Sequence, residues 1–157
     1  MPKLVFAVAI IAAALVQATI IGYLRVFGAQ PDLLLCCTLY AGLSFSPAWA
    51  AALGLSAGAL KDMLGAGSWG INAFLFASWG YLVAQLSRKV PTDEKIMRLP
   101  LAVAVALLQN IISAAAAIGS GIAVPAGIIT RNIIIGSAYT GAVFPIFFRL
   151  SRKIQPK

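Results

Sequence analysis

The sequence predicts an all-α integral membrane protein, a six-transmembrane-helix bundle forming a single transmembrane domain over residues 1–157. Three observations predict it. First, hydrophobic residues make up 61% of the chain and charged residues 10%, against roughly 25% charged in soluble domains; mean hydropathy is +0.95. Second, uncharged stretches cover residues 4–24, 33–60, 63–87, 99–130 and 132–148. Each reaches or exceeds the about 17 residues that cross a hydrocarbon core. Third, the stretches are continuously apolar, without the period-two alternation of a transmembrane β-barrel.

The elements follow in order. The first span covers about residues 4–24. Met1-Pro2-Lys3, the apolar core and Val16-Gln17-Ala18 also have the outline of a cleavable signal, but the run continues past Ile21, so a retained helix is expected. A turn at Gly28-Ala29-Gln30-Pro31 precedes the second helix. Pro31 suits a helix start, and Asp32 suits the positive end of the helix dipole. One helix over residues 33–60 would be about 42 Å long, too long for the core. Ser44-Phe45-Ser46-Pro47 therefore divides it into a short helix (32–43) and a third helix (48–63). The fourth covers 71–87 and the fifth 99–118. Gly119-Ser120-Gly121 and Pro125 turn the chain into a sixth helix (126–148), which Pro145 bends near its end.

Charge placement orients the bundle. Twelve basic residues against four acidic ones give a net charge of +8. The basic residues flank apolar runs, as in the cytoplasmic loops of inner-membrane proteins, so the excess does not indicate nucleic acid. Arg88, Lys89, Lys95 and Arg98 cluster in one connection; Arg149, Arg152, Lys153 and Lys157 cluster at the C-terminus. Two helices separate the clusters, which places both in the cytoplasm, and the C-terminus with them. Five spans with an outside N-terminus give an equally strong bias. Both arrangements put the Lys61–Gly70 connection outside.

Residues 50–80 are the most distinctive part of the chain. Ala50, Gly54, Gly58 and Asp62 recur every four residues, a ridge of small side chains that lets helix backbones approach closely. An acid ending such a ridge is costly unless partnered. Gly65, Gly67 and Gly70 follow it, then Asn72, and later Gly80 and Tyr81. This glycine cluster either makes a tight turn or turns close enough to present backbone amides near Asp62. Arg131 lies one to two turns into the last helix, deep enough to call for a partner, and Asp62 is the expected one, with Lys61 and Asp32 near by. The competing expectation is that Lys61, Asp62 and Arg25 are headgroup-level charges snorkelling to water. Gln109, Asn110 and Asn132 add polarity. Trp69 and Trp79 have the default role of interfacial anchors.

Nothing in the composition supplies a catalyst or a cofactor site. Histidine is absent, and no serine has a plausible base beside it. Cys36 and Cys37 are adjacent, with no second pair to complete a metal site. Neighbouring helical residues point about 100° apart, which argues against a disulfide between them. The chain is expected to be no enzyme, with no metal and no cofactor.

Pro31-Asp32, then Gly54-x-x-x-Gly58-x-x-x-Asp62-x-x-Gly65-x-Gly67-x-x-Gly70-x-Asn72-Ala73, then Gly80-Tyr81-Leu82 together resemble the rod shape-determining membrane protein MreD family. The resemblance is strongest over residues 31–90, and chain length and span count also fit. It implies a non-enzymatic inner-membrane scaffold of the bacterial elongation machinery that helps control peptidoglycan synthesis and cell shape. It further implies binding to an MreC-like periplasmic organiser, and action with a RodA-type glycan polymerase, its transpeptidase and an MreB-like filament. The implied fold is similar to the substrate-binding component of energy-coupling-factor transporters, and a vitamin-transporter subunit is accordingly the alternative function. Small-residue ridges at Ala9-Ala13, Ala14-Ala18 and 114–117 are the expected surfaces for a partner helix.

Overall fold

A computed structural model describes residues 2–19, 31–64, 70–89, 95–121 and 125–154. The described residues contain α1 (Pro2–Thr19), α2 (Leu33–Ser44), α3 (Pro47–Leu64), α4 (Ile71–Lys89), α5 (Lys95–Gly119), α6 (Ala126–Arg131) and α7 (Ser137–Ile154). A π-helical turn, Asn132–Gly136, runs from α6 into α7. No strand occurs among the described residues. Met97–Gly119 and Ala126–Leu150 are each long and apolar enough to cross a membrane, whereas Val8–Gln17 and Leu33–Ser44 are shorter apolar stretches.

The division at Pro47 is where the sequence places it. Phe45 takes an extended conformation, and its N–H caps the Ala41 carbonyl. Pro47 then opens α3, where its missing N–H costs nothing. Two boundaries differ from expectation. α5 begins at Lys95, so Pro100 lies inside it; so near the helix start, few backbone bonds are at stake. The last helix continues beyond Pro145 to Ile154.

α2 is the centre of the bundle. Every residue from 34 to 42 is buried, and the helix packs against α1, α3, α4, α5 and α7. A helix apolar on all sides has no solvent or lipid face to offer. Its start is tied by polar groups: the Leu34 N–H donates to Gln17 Oε1 on α1 (3.2 Å), the Asp32 N–H to Thr140 Oγ1 on α7 (3.1 Å), and the Leu35 N–H to Asp32 Oδ1 (3.0 Å). These bonds satisfy donors that have no partner within the helix. Its other end is held by rings. Tyr40 stacks on Phe6 of α1 and meets Phe148 of α7, each with centroids 5.2 Å apart.

The most extensive packing joins α3 to α4. The two run antiparallel with backbone against backbone. A Cβ at Gly54 would strike the Phe76 carbonyl, one at Gly58 the Asn72 carbonyl, and one at Gly80 the Ala50 carbonyl. Ala50, Gly54 and Gly58 are buried along this seam. The four-residue spacing read from the sequence is thus the register of a glycine seam, whose cohesion comes from close van der Waals contact. α5 and α7 form a second pair, in which Gly141 leaves room for the Val103 side chain.

The α1 alanine ridges, expected to meet a partner, turn inward where their side chains are described, and that of Ala18 lies outside the described ones. Ala13 and Ala14 are core residues, while Val8, Ile11 and Leu15 cover the outer face. Spacing identifies a ridge without saying which way it turns. Ala115 is exposed, with Ala114, Ala116 and Ala117 half-buried.

Gly54→Val and Gly58→Val are expected to destabilise the protein by at least the roughly 1–3 kcal/mol typical of overpacking, because backbone is struck on both sides. Gly127→Ala, in open space, should be neutral or slightly stabilising. Thermal melting in detergent checks both; equal midpoints for all three variants would contradict the seam.

Candidate functional site

Asp62 lies two residues before the end of α3, where its charge opposes the negative pole of its own helix dipole. The positive pole of α4 offsets this. Gly70 precedes α4 in a left-handed conformation (φ +89°) that glycine adopts without strain, and its carbonyl accepts the first helical bond, from Phe74 (3.0 Å). Gly70 has no side chain to cap the amides that follow, and Asp62 reaches across from α3 to do so. Its Oδ2 accepts from the N–H groups of Gly70 (3.1 Å) and Ala73 (3.0 Å). Its Oδ1 accepts from the Asn72 N–H (3.3 Å) and the Asn72 Nδ2 (2.8 Å). Four donors fill the about four acceptor positions of a carboxylate. That makes a side chain only 7% exposed tolerable despite the large cost of burying an uncompensated charge.

The chain of bonds continues from Asn72. Its Oδ1 accepts from Gln109 Nε2 on α5 (3.1 Å), and Gln109 Oε1 accepts from Trp79 Nε1 on α4 (2.9 Å). The order has one direction. A carboxylate only accepts and an indole N–H only donates, so both intervening amides are oriented by the two ends. Gln109 is 1% exposed and also donates to Ser113 Oγ (3.0 Å). The relay therefore links α3, α4 and α5 through a region where unsatisfied polar groups are costly.

A second acid serves the neighbouring helix. Asp32 caps α2 and forms an ion pair with Lys61, which stands in the last turn of α3. The Lys61 ammonium also lies 5.0 Å from the centre of the Phe76 ring, a cation–π distance. At this end of the bundle each charge thus faces a helix pole of opposite sign: Asp32 at the start of α2, Lys61 at the end of α3, Asp62 at the start of α4.

The structure brings together Asp32, Gly58, Asp62, Gly70 and Asn72, with Pro31 buried just before α2. It does not join Asp62 to Arg131, and the expected pair is corrected on that point: amides of α4 occupy both Asp62 oxygens, and the ion pair of this region is Lys61–Asp32. Asp62 is buried and hydrogen-bonded, not snorkelling. Tyr81 is 45% exposed on α4, with its hydroxyl bonded by Gln85 (2.9 Å), and takes no part in the relay. Gly65, Gly67 and Trp69 lie outside the described residues. Trp79 is a relay member, which its interfacial-anchor role did not anticipate. Gln109 was visible in the sequence as polarity inside an apolar helix, but its partners were not.

The model of the family described as rod shape-determining protein MreD matches residues 1–154. The chain belongs to this family. MreD proteins are structural, shape-determining membrane proteins of the rod complex. No curated protein and no solved structure matches the chain. The Asp62 cap and its relay are therefore the internal framework of an MreD-family bundle, and their chemistry is that of helix positioning.

Removing the cap should cost more than weakening it. Asp62→Ala strands amides in an apolar setting, at about 1–3 kcal/mol by the usual cost of an unsatisfied buried donor. Asp62→Asn keeps one acceptor oxygen and should fall between. Gln109→Leu and Trp79→Phe should be coupled: a double-mutant cycle on detergent melting is expected to return a non-zero interaction energy, of order 0.5–3 kcal/mol. Strict additivity would contradict the relay.

Proposed function

We propose that this chain is a non-catalytic scaffold of the bacterial elongation complex. It sits in the cytoplasmic (inner) membrane as six spans forming one transmembrane domain, with its C-terminus in the cytoplasm. It docks the membrane anchor of an MreC-like periplasmic organiser and works beside a RodA-type glycan polymerase, its transpeptidase and an MreB-like filament, so contributing to control of peptidoglycan synthesis and cell shape. The observation that carries this reading is the family match over residues 1–154.

The side chains support a structural use. Asp32 and Asp62 each cap the start of a helix, and Gln109 ties two helices together. No general acid or base is needed for that work, and a carboxylate saturated by four donors is poorly placed to transfer a proton. The basic residues Arg88, Lys89 and Arg149 are exposed and, with Arg152, Lys153 and Lys157 of the C-terminus, support a cytoplasmic location for that end. The end carrying Asp32 and Asp62 is then periplasmic, within reach of an organiser anchored in the same membrane. Six helical rods with a buried half-length helix at the centre suit a fold similar to the substrate-binding component of energy-coupling-factor transporters. The transporter function itself draws no support from the family match.

Crosslinked pull-down from native membranes tests the proposal. MreC-like and RodA-like proteins should be recovered with the wild-type chain, and Asp62→Ala should lower recovery severalfold by loosening the periplasmic end. Recovery of an ATPase-linked transporter module instead would reject the scaffold reading.

A further inference from the structure

Arg131 is a half-buried cation without a counter-charge among the described residues. Its Nε is buried and has no hydrogen-bond partner among the described residues. The chain contains four acids, and the two among the described residues are both engaged elsewhere. Asp62 is filled by Gly70, Asn72 and Ala73. Asp32 holds Lys61 and the Leu35 amide. Asp93 and Glu94 lie outside the described residues. The level of Arg131 on α5 is marked by Asn110, whose Nδ2 donates to the carbonyl of the next residue, Asn132 (3.2 Å).

The surroundings say where a counter-charge can come from. Arg131 ends α6, a helix with no buried residue. Ile128 and Ile134 on either side of it, and Ile111 and Ile112 on α5, are exposed and apolar, so the site borders lipid. It lies about 9 Å along the helix from Pro125, just inside the headgroup level and within an arginine's reach of it. A π-helical turn follows directly, a local widening that often accompanies functional sites. Guanidinium is planar, permanently charged and suited to gripping two phosphate oxygens at once.

We infer that Arg131 seats the phosphate of a membrane phospholipid headgroup, in the leaflet adjoining the α4 start and the α6 start. The lipid supplies in trans the anion that the described residues do not, and so fixes α6 and the π-turn against α5. The inference rests on the proposed membrane location but not on any protein partner. A carboxylate from a partner's membrane helix is the competing source, but the exposed isoleucines around the site favour lipid.

The purified chain in dodecyl maltoside, which has no phosphate, provides the test. Phosphatidylglycerol, a diacylglycerol with the same acyl chains, and inorganic phosphate are added in parallel; retained lipid is counted by native mass spectrometry and stability by thermal melting. Wild-type protein should retain phosphatidylglycerol and melt higher with it, while diacylglycerol and inorganic phosphate do neither. Arg131→Gln should retain phosphatidylglycerol about tenfold more weakly, the factor carried by one charge-assisted bond. Without phospholipid it should melt no lower than wild type, because no internal partner is lost. Equal retention by both proteins would overturn the inference, as would a large loss of stability of Arg131→Gln in maltoside alone or a response to inorganic phosphate. Loss of a co-purifying membrane protein by Arg131→Gln, with lipid retention unchanged, would assign the site to a partner carboxylate and overturn it as well. If Arg131→Gln does not accumulate, Arg131→Lys is measured: severalfold weaker retention is expected, and unchanged retention overturns the proposal. Because no partner is present, a failed pull-down leaves this result standing, and a failure here leaves the docking reading intact.

Discussion

The carboxylate of Asp62, set between the end of one helix and the start of the next, is the constraint on which the rest of the bundle depends. At the end of α3 the charge is unfavourable; at the start of α4 it is favourable. The balance is reached only if the two helices approach closely enough for one side chain to meet three amides at about 3 Å. Gly54, Gly58 and Gly80 permit that approach by giving up their side chains to the opposing backbone. Cap and seam are therefore one device. The seam brings the carboxylate to the amides, and the cap fixes the register in which the glycines meet carbonyls.

From this point hydrogen bonds between polar side chains extend the framework outward. Asn72 and Gln109 carry the hydrogen-bond order from the carboxylate to the Trp79 indole, and so attach α5, which otherwise packs mainly on α7, to the α3–α4 pair. The start of α2 is held by the same logic, with donors covered by Gln17 of α1 and Thr140 of α7. In an apolar medium there is no hydrophobic gain from pressing one helix on another, so close packing and complete hydrogen bonding must define the arrangement. This is a molecule built to hold a shape, in keeping with its family.

Much of the fold was legible in the sequence, and the particular residues show why. Pro47 and the serines before it divide a run too long to span, and α2 and α3 end and begin there. The spacing Ala50-Gly54-Gly58-Asp62 announces a close helix contact and gives its register. The glycine cluster pointed to backbone amides near Asp62, and Gly70 supplies one. The Arg131 pairing failed because charge matching looks for a cation, whereas a buried carboxylate is served as well by amides, and the sequence does not say which of the two it takes. Gln109 and Asn110 are adjacent yet point about 100° apart on the helix, so one meets α4 and the other α7. The alanines of α1 show the same limit, since small-residue spacing marks a packing face without naming what it faces. The π-turn at Asn132–Gly136 has no sequence signal beyond its glycine; Asn110 and Thr140 serve the carbonyls at its two ends.

Residue-resolved amide hydrogen exchange on the wild-type protein tests the central claim most directly. First-turn amides have no acceptor within their own helix and ordinarily exchange fast. Bonding to Asp62 predicts strong protection of the Gly70, Asn72 and Ala73 amides, comparable to mid-helix α4 positions. Rapid exchange at those three, with the rest of α4 protected, would show that the carboxylate does not hold the helix start and would contradict the account.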